Sequence, residues 1–213
     1  MKLAIFDFDG TLFNSVDDVI ICFNKALTLL GFPTLTREEY IERLGGTIDE
    51  IISLVLKDNN TPENIDILKK TYLELYNSSK KENTIPFPKA HDLLKSLKEK
   101  NVLLAINSNR LNYSLNYFVE KFFSDIDFVL IEGQDNISPP KPHKFGVEKI
   151  IKKSGLSKSE VIYIGDSNTD IETAKNAGIE CIIVKWGYGN QNDFNNDYIL
   201  ECVDDFSQLL KYF

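Results

Sequence analysis

The segment Leu3-Ala4-Ile5-Phe6-Asp7-Phe8-Asp9-Gly10-Thr11 decides how this chain is read. Four consecutive apolar residues, with no polar residue alternating among them, describe a strand buried on both faces, as in a parallel sheet. The run then breaks into two aspartates and a glycine. Both carboxylates therefore stand at the carboxyl end of a buried strand, where open α/β sheets place their sites. Similar runs recur at Val102 to Ile106, Phe128 to Ile131, Val161 to Ile164 and Cys181 to Val184. From Val102 onward they alternate with helical stretches, one from Lys144 to Ser154 ahead of Gly155 and another from Thr169 ahead of Gly178. Both glycines suit helix C-caps. The alternation predicts an α/β fold with a three-layer, doubly wound, Rossmann-like core of parallel strands.

Between the first two runs lies a long stretch without a convincing strand. Val16, Val19, Ile20, Phe23, Leu27 and Leu30 recur at helical spacing and end at Gly31. Thr36 with Glu39 and Thr47 with Glu50 form capping-box patterns, and Thr61-Pro62 sets a capping residue before a proline at the first helical position. A structureless connection of this length would be implausible, so residues 14–84 are expected to form an inserted α-helical domain, with residues 1–13 and 85–213 forming the core. The Asn- and Asp-rich stretch Asn190 to Asp197 reads as a surface loop.

The formal net charge of -8 and the lack of a basic stripe argue against a nucleic-acid partner. No apolar run reaches the roughly 18–20 residues a membrane helix requires. The amino terminus leaves no room for a signal peptide, so a cytoplasmic protein is expected. Cys22, Cys181 and Cys202 are odd in number and widely spaced, which fits inert thiols in a reducing compartment.

A second acidic element, Gly165-Asp166-Ser167-Asn168-Thr169-Asp170, also follows an apolar run. If the two strand ends are neighbours, Asp7, Asp9 and Asp166 converge. Each pair of unit charges at about 4 Å would then repel by roughly 4 kcal/mol at an effective dielectric of 20. A cation must offset this, and hard oxygen donors with room for phosphate and water suit Mg²⁺. Val102 to Ile106 runs into Asn107-Ser108-Asn109, which sets a hydroxyl at the sheet edge. Lys141 follows another strand and supplies a compact positive charge. Taken singly, Ser108 could cap a helix, Lys141 could be a solvated lysine, and Asp166 with Asp170 could decorate a helix N-terminus.

Taken together, Asp-Phe-Asp-Gly-Thr, the strand ending in Ser108-Asn109, Lys141-Pro142 and Gly-Asp-Ser-x-x-Asp resemble the haloacid dehalogenase-like hydrolases, over nearly the whole chain and most closely the phosphoglycolate-phosphatase-like members. The resemblance implies an enzyme, a phosphoric monoester hydrolase that works through an aspartyl-phosphate with Mg²⁺. It implies Asp7 as nucleophile and Asp9 as general acid/base, with Ser108, Asn109 and Lys141 binding the phosphoryl group. The metal would be held by Asp7, the Asp9 backbone carbonyl and Asp166, with Asp170 acting through water or by orienting its neighbours. The helical insertion matches a mobile cap whose loop Arg43 to Thr47, including Gly45, Gly46 and Thr47, would face substrate; Arg110 is a further candidate contact. The expected partner is a small phosphomonoester, for a monomer or homodimer. Asn14, Lys89 and Lys144 depart from the residues usual in the family, outside the catalytic set.

Alternatives share much of this pattern. A phosphomutase resembling β-phosphoglucomutase would carry a cap histidine, whereas His91 and His143 lie outside residues 14–84. An inorganic or nucleotide phosphatase on the same scaffold stays open. Asp9 speaks against a dehalogenase, and the complete set speaks against an inactive binding module. Gly187-x-Gly189 lacks the third glycine of a dinucleotide fingerprint and reads as a loop.

Overall fold

The computed structural model describes residues 1–135 and 137–213. In chain order its elements are β1 (Leu3–Phe6), β2 (Phe13–Asn14), α1 (Val16–Leu30), α2 (Arg37–Ile41), α3 (Ile48–Leu56), α4 (Pro62–Ser78), β3 (Ile85–Pro86), α5 (Ala90–Glu99), β4 (Leu103–Leu111), α6 (Asn112–Phe123), β5 (Leu130–Gln134), α7 (Phe145–Ser154), β6 (Val161–Gly165), α8 (Asn168–Ala177), β7 (Glu180–Val184) and β8 (Ile199–Val203). The chain divides into two compact units, residues 1–13 with 86–213 and residues 14–85.

In the first unit a six-stranded sheet runs in the order β5-β4-β1-β6-β7-β8, and every pairing is parallel. Pleating sends alternate residues of β1 to opposite faces. Ala4 and Phe6 join one core with Leu94 and Leu97 of α5 and Leu115 and Phe118 of α6. Leu3 and Ile5 join another with Val147 and Ile150 of α7 and Ile171 and Ala174 of α8. Both faces of the sheet are thus covered, which accounts for the unbroken apolar runs. The chain leaves β1 toward β4 and β5, then returns past β1 to β6, so the crevice beside β1 is a topological switch point.

The two edges differ from the sequence expectation. β5 covers 130–134 rather than 128–131 and contains Glu132, Gly133 and Gln134. β8 has no apolar run to announce it: of its residues only Val203 is buried, and Leu200 and Glu201 are exposed. Edge strands bury less surface and leave a weaker pattern. Lys89 adopts φ +69, the left-handed region that glycine occupies without steric cost. Its ammonium reaches Asp205 at 3.0 Å.

The second unit has its own core. Phe23 stacks on Tyr72 with ring centroids 3.9 Å apart, among Leu27, Tyr40, Ile52 and Leu68. Thr36 and Thr47 form the expected capping boxes and Thr61 caps α4. Asp18, buried in α1, accepts from Thr84 Oγ1 at 2.7 Å and Asn83 Nδ2 at 3.0 Å. Among the described residues no helix is long and apolar enough to cross a membrane.

Candidate active site

The site is built at the carboxyl ends of β1, β4 and β6. Asp7 N donates to Ile164 O at 2.8 Å, which carries the β1–β6 ladder one residue past the strand and fixes where the carboxylate emerges. Beyond it the chain turns sharply, Leu12 and Phe13 N–H both donating to Phe8 O, with Gly10 at φ +81. A Cβ on Gly10 would lie 2.2 Å from Asp166 Oδ2, so only glycine lets this turn sit against Asp166.

Asp7, Asp166 and Asp170 form a buried cluster in which one carboxylate oxygen from each lies within 4.8 Å of the others. Lys141 Nζ stands among them, 2.8 Å from Asp7 Oδ1 and 2.7 Å from Asp170 Oδ1, with its side chain only 5% exposed. It is therefore no solvated loop lysine. Burial alone would lower its pKa, but Asp170 and Asp7 hold it well above the ordinary lysine value. Burial pushes Asp7 up to about 7, against the pull of Lys141. Burial, then Asp170 and Asp7, push Asp166 well above the carboxylate range.

The three carboxylates are not equivalent. Asp170 completes the capping box of α8. Its Oδ2 accepts from Asp166 N, Ser167 N and Ser167 Oγ, and its Oδ1 from Lys141. Both oxygens are already committed, so Asp170 orients Lys141 and the loop after β6. Asp7 Oδ1, by contrast, has the Lys141 ammonium at 2.8 Å and, among the described residues, no other hydrogen-bond partner. Asp7 and Asp170 share this one ammonium, so the cluster of three carboxylates is short of positive charge that a further cation would supply. All-oxygen donors at Asp7 and Asp166, in a cluster with more negative than positive charge, fit a hard divalent cation.

β4 supplies Ser108 and Asn109, the residues expected on the phosphate side. Its register with β5 shifts between Asn107 and Leu111, which lifts Ser108 to Arg110 out of the regular ladder. Ser108 is buried and does not cap α6, whose capping position is Leu111. Asn109 exchanges two hydrogen bonds with the Lys141 backbone, Lys141 N to Oδ1 at 2.8 Å and Nδ2 to Lys141 O at 3.1 Å. Its side chain thus holds the lysine loop. Asp9 lies outside the carboxylate cluster, its side chain turned to Arg110. Gly45, Gly46 and Thr47 belong to the second unit, where Thr47 caps α3.

The Gly187-x-Gly189 segment, expected to be a loop, packs against Asp166. A Cβ on Gly187 would fall 2.3 Å from Asp166 Cβ and 2.5 Å from Gly10 O, and one on Gly189 would fall 1.9 Å from Asp166 O. Tyr188 N donates to Asp166 Oδ2 at 2.6 Å, and Trp186 Nε1 to Thr11 O at 3.1 Å. Residues 186–189 therefore grip Asp166 from one side while Gly10 touches it from another. Two glycines two residues apart were the available signal.

A parallel α/β sheet with aspartates at adjacent strand ends and a buried lysine between them is an arrangement suited to phosphoryl transfer. The profile of the haloacid dehalogenase-like hydrolases matches residues 4–184, and the chain belongs to that family. It is 30% identical over 210 residues to a phosphoglycolate phosphatase of Aquifex aeolicus, covering 99% of this chain and 97% of that protein. A crystal structure from Lactobacillus delbrueckii subsp. bulgaricus, provisionally described as a phosphoglycolate phosphatase, superposes with a TM-score of 0.92 at 26% identity, covering 100% of this chain and 98% of the other. CbbY of Rhodobacter sphaeroides, in complex with phosphate, shares the fold with a TM-score of 0.80 at 23% identity, covering 98% and 96%. The chain is a phosphatase.

In this setting Gly187→Ala is expected to displace Asp166 and lower phosphatase activity on the order of 10²-fold, the cost of misplacing an active-site group by about 1 Å. Steady-state kinetics beside a thermal melt would check it; full activity would show that Asp166 tolerates the added methyl.

Proposed function

We propose that the chain hydrolyses a small phosphomonoester, of the phosphoglycolate kind, through a phosphoryl group carried on Asp7. The observation that carries the reading is the Asp7 carboxylate, buried at the end of β1 with Lys141 Nζ 2.8 Å from its Oδ1 and no other partner for that oxygen among the described residues. A carboxylate nucleophile divides one difficult displacement into two easier ones. Asp7 attacks phosphorus, and Asp9 gives a proton to the leaving oxygen. Asp9 then takes a proton from the water that releases phosphate. Lys141, with Ser108 and the backbone beside Asn109, offsets charge on the phosphoryl oxygens, where most of the catalysis of phosphoryl transfer lies.

Asp7, Asp166 and the Asp9 carbonyl would hold Mg²⁺, which supplies charge neutralisation for the nucleophile and the transferring group. We assign residues 14–85 the role of cap, with Arg43 to Thr47 bearing on substrate choice. The phosphoglycolate assignment draws on the name of the Aquifex aeolicus relative. A cytoplasmic, reducing setting agrees with Cys22, Cys181 and Cys202 being free.

A phosphate-release screen over a panel of phosphomonoesters with Mg²⁺, using Asp7→Asn as blank, tests the reading. Release from small phosphorylated acids or sugars is expected; no release above the blank from any member would sink it.

The metal also makes a pH prediction. With Asp7 at about 7 in the fold and 3.8 as its reference value, the folded chain keeps a proton between about pH 4 and 7 that the unfolded chain has lost. Without metal, this group's contribution to stability is therefore present at low pH and lost as pH rises through about 7. Asp7 would give up that proton to hold Mg²⁺, so the upward shift of the melting temperature on adding Mg²⁺ should be larger at pH 8 than at pH 5.5. An equal shift at both would place the ion elsewhere.

A further inference from the structure

Arg110 is buried beside the site, its side chain 7% exposed. Its Nε donates to Asp9 Oδ2 at 3.0 Å and to Oδ1 at 3.2 Å, and Nη2 donates to Oδ1 at 2.5 Å. Nη1 donates to Ser114 Oγ at 3.0 Å. The guanidinium carbon lies 5.2 Å from the Phe8 ring centroid and 5.3 Å from that of Phe118, within cation–π range of both. Three elements fix it: the segment after β1, the irregular end of β4 and the first turns of α6. The Asp9 carboxylate at the other end of the pair is 33% exposed.

A guanidinium fork meets a carboxylate in one plane, so this contact sets the orientation of the carboxylate as well as its place. The cation is the immobile partner, and the open end of the pair is the aspartate. We propose that Arg110 is a positioning residue that fixes the Asp9 carboxylate for proton transfer and does not itself bind substrate. This rests on the reading of Asp9 as the group that gives and takes the proton. The shift in β4 register serves the same end, because it frees Arg110 from the ladder at the height of Asp9.

The experiment is a double-mutant cycle on phosphate release from an alkyl phosphomonoester with Mg²⁺, comparing the native chain, Arg110→Lys, Asp9→Asn and the two combined. Lysine keeps the charge and loses the fork. Arg110→Lys is expected to lower kcat about 10²-fold with KM nearly unchanged, and to cost little more once Asp9 is asparagine, since a residue acting through another loses its effect when that other is gone. Arg110→Ala, assayed with and without added guanidinium, covers the case in which the lysine variant does not fold; recovery with guanidinium in the Asp9 background alone is expected. An equal loss in both backgrounds, a rise in KM at constant kcat, or no guanidinium recovery in the alanine variant overturns the positioning role while the phosphatase reading stands. A native chain that releases no phosphate overturns both.

Discussion

Asp7→Asn is expected to abolish phosphate release, with a loss on the order of 10⁴-fold or more, the scale seen when a covalent nucleophile is removed. The amide is nearly the same size as the carboxylate and removes a charge that burial disfavours. Lys141 keeps its contact with Asp170 at 2.7 Å, so the site is not emptied of its counter-charge. The variant should therefore melt cooperatively near the native temperature while turning over no substrate. A variant that still turned over substrate at a tenth of the native rate would show that Asp7 is not the attacking group.

Lys141→Met should be costly in two separate ways. Methionine keeps much of the aliphatic stem but leaves Asp7 and Asp170 facing each other in a buried site without the ammonium between them. Breaking a buried ion pair by removing one partner costs about 3–5 kcal/mol, because the remaining charge has no compensation. Denaturant unfolding at pH 8 should show a loss of that size. The loss should shrink as the pH falls toward 5, because a proton on Asp7, whose carboxyl burial holds up at about 7, then replaces the missing cation. Activity should drop separately, on the order of 10³-fold, through the lost charge at the phosphoryl oxygens. Unchanged stability at pH 8 would mean that the carboxylates find another counter-charge.

How much of this was legible in the sequence follows burial. β1, β6 and β7 lie inside the sheet, covered on both faces, and their apolar runs announce them. β5 and β8 form the edges, where Glu132, Gly133, Leu200 and Glu201 dilute the pattern, and there the expected boundaries shift or fail. The residues at the strand ends could be named because each directly follows a buried run, and the fold gathers Asp7, Lys141, Asp166 and Asp170 into one cluster. Contacts that depend on remote parts of the chain were not legible. Nothing in the spacing of Asp9 and Arg110, 101 residues apart, announces their ion pair. Nor could the glycines of the 186–189 loop be tied to Asp166, since that need arises only when β7 lies beside β6. Nor does the sequence announce that the Asn109 side chain exchanges hydrogen bonds with the Lys141 backbone.

The most direct test of covalent chemistry at Asp7 is rapid acid quench of the enzyme during turnover with Mg²⁺, followed by mass mapping of the peptide that contains Asp7. With an aryl phosphate, whose leaving oxygen needs no proton from Asp9, the Asp9→Asn variant is slowed mainly in releasing phosphate, by about 10²–10⁴-fold, and serves as the accumulating case. One phosphoryl group on Asp7 is expected, appearing before free phosphate and absent from Asp7→Asn. Phosphate released at the native rate with that peptide unmodified at every quench time would contradict it.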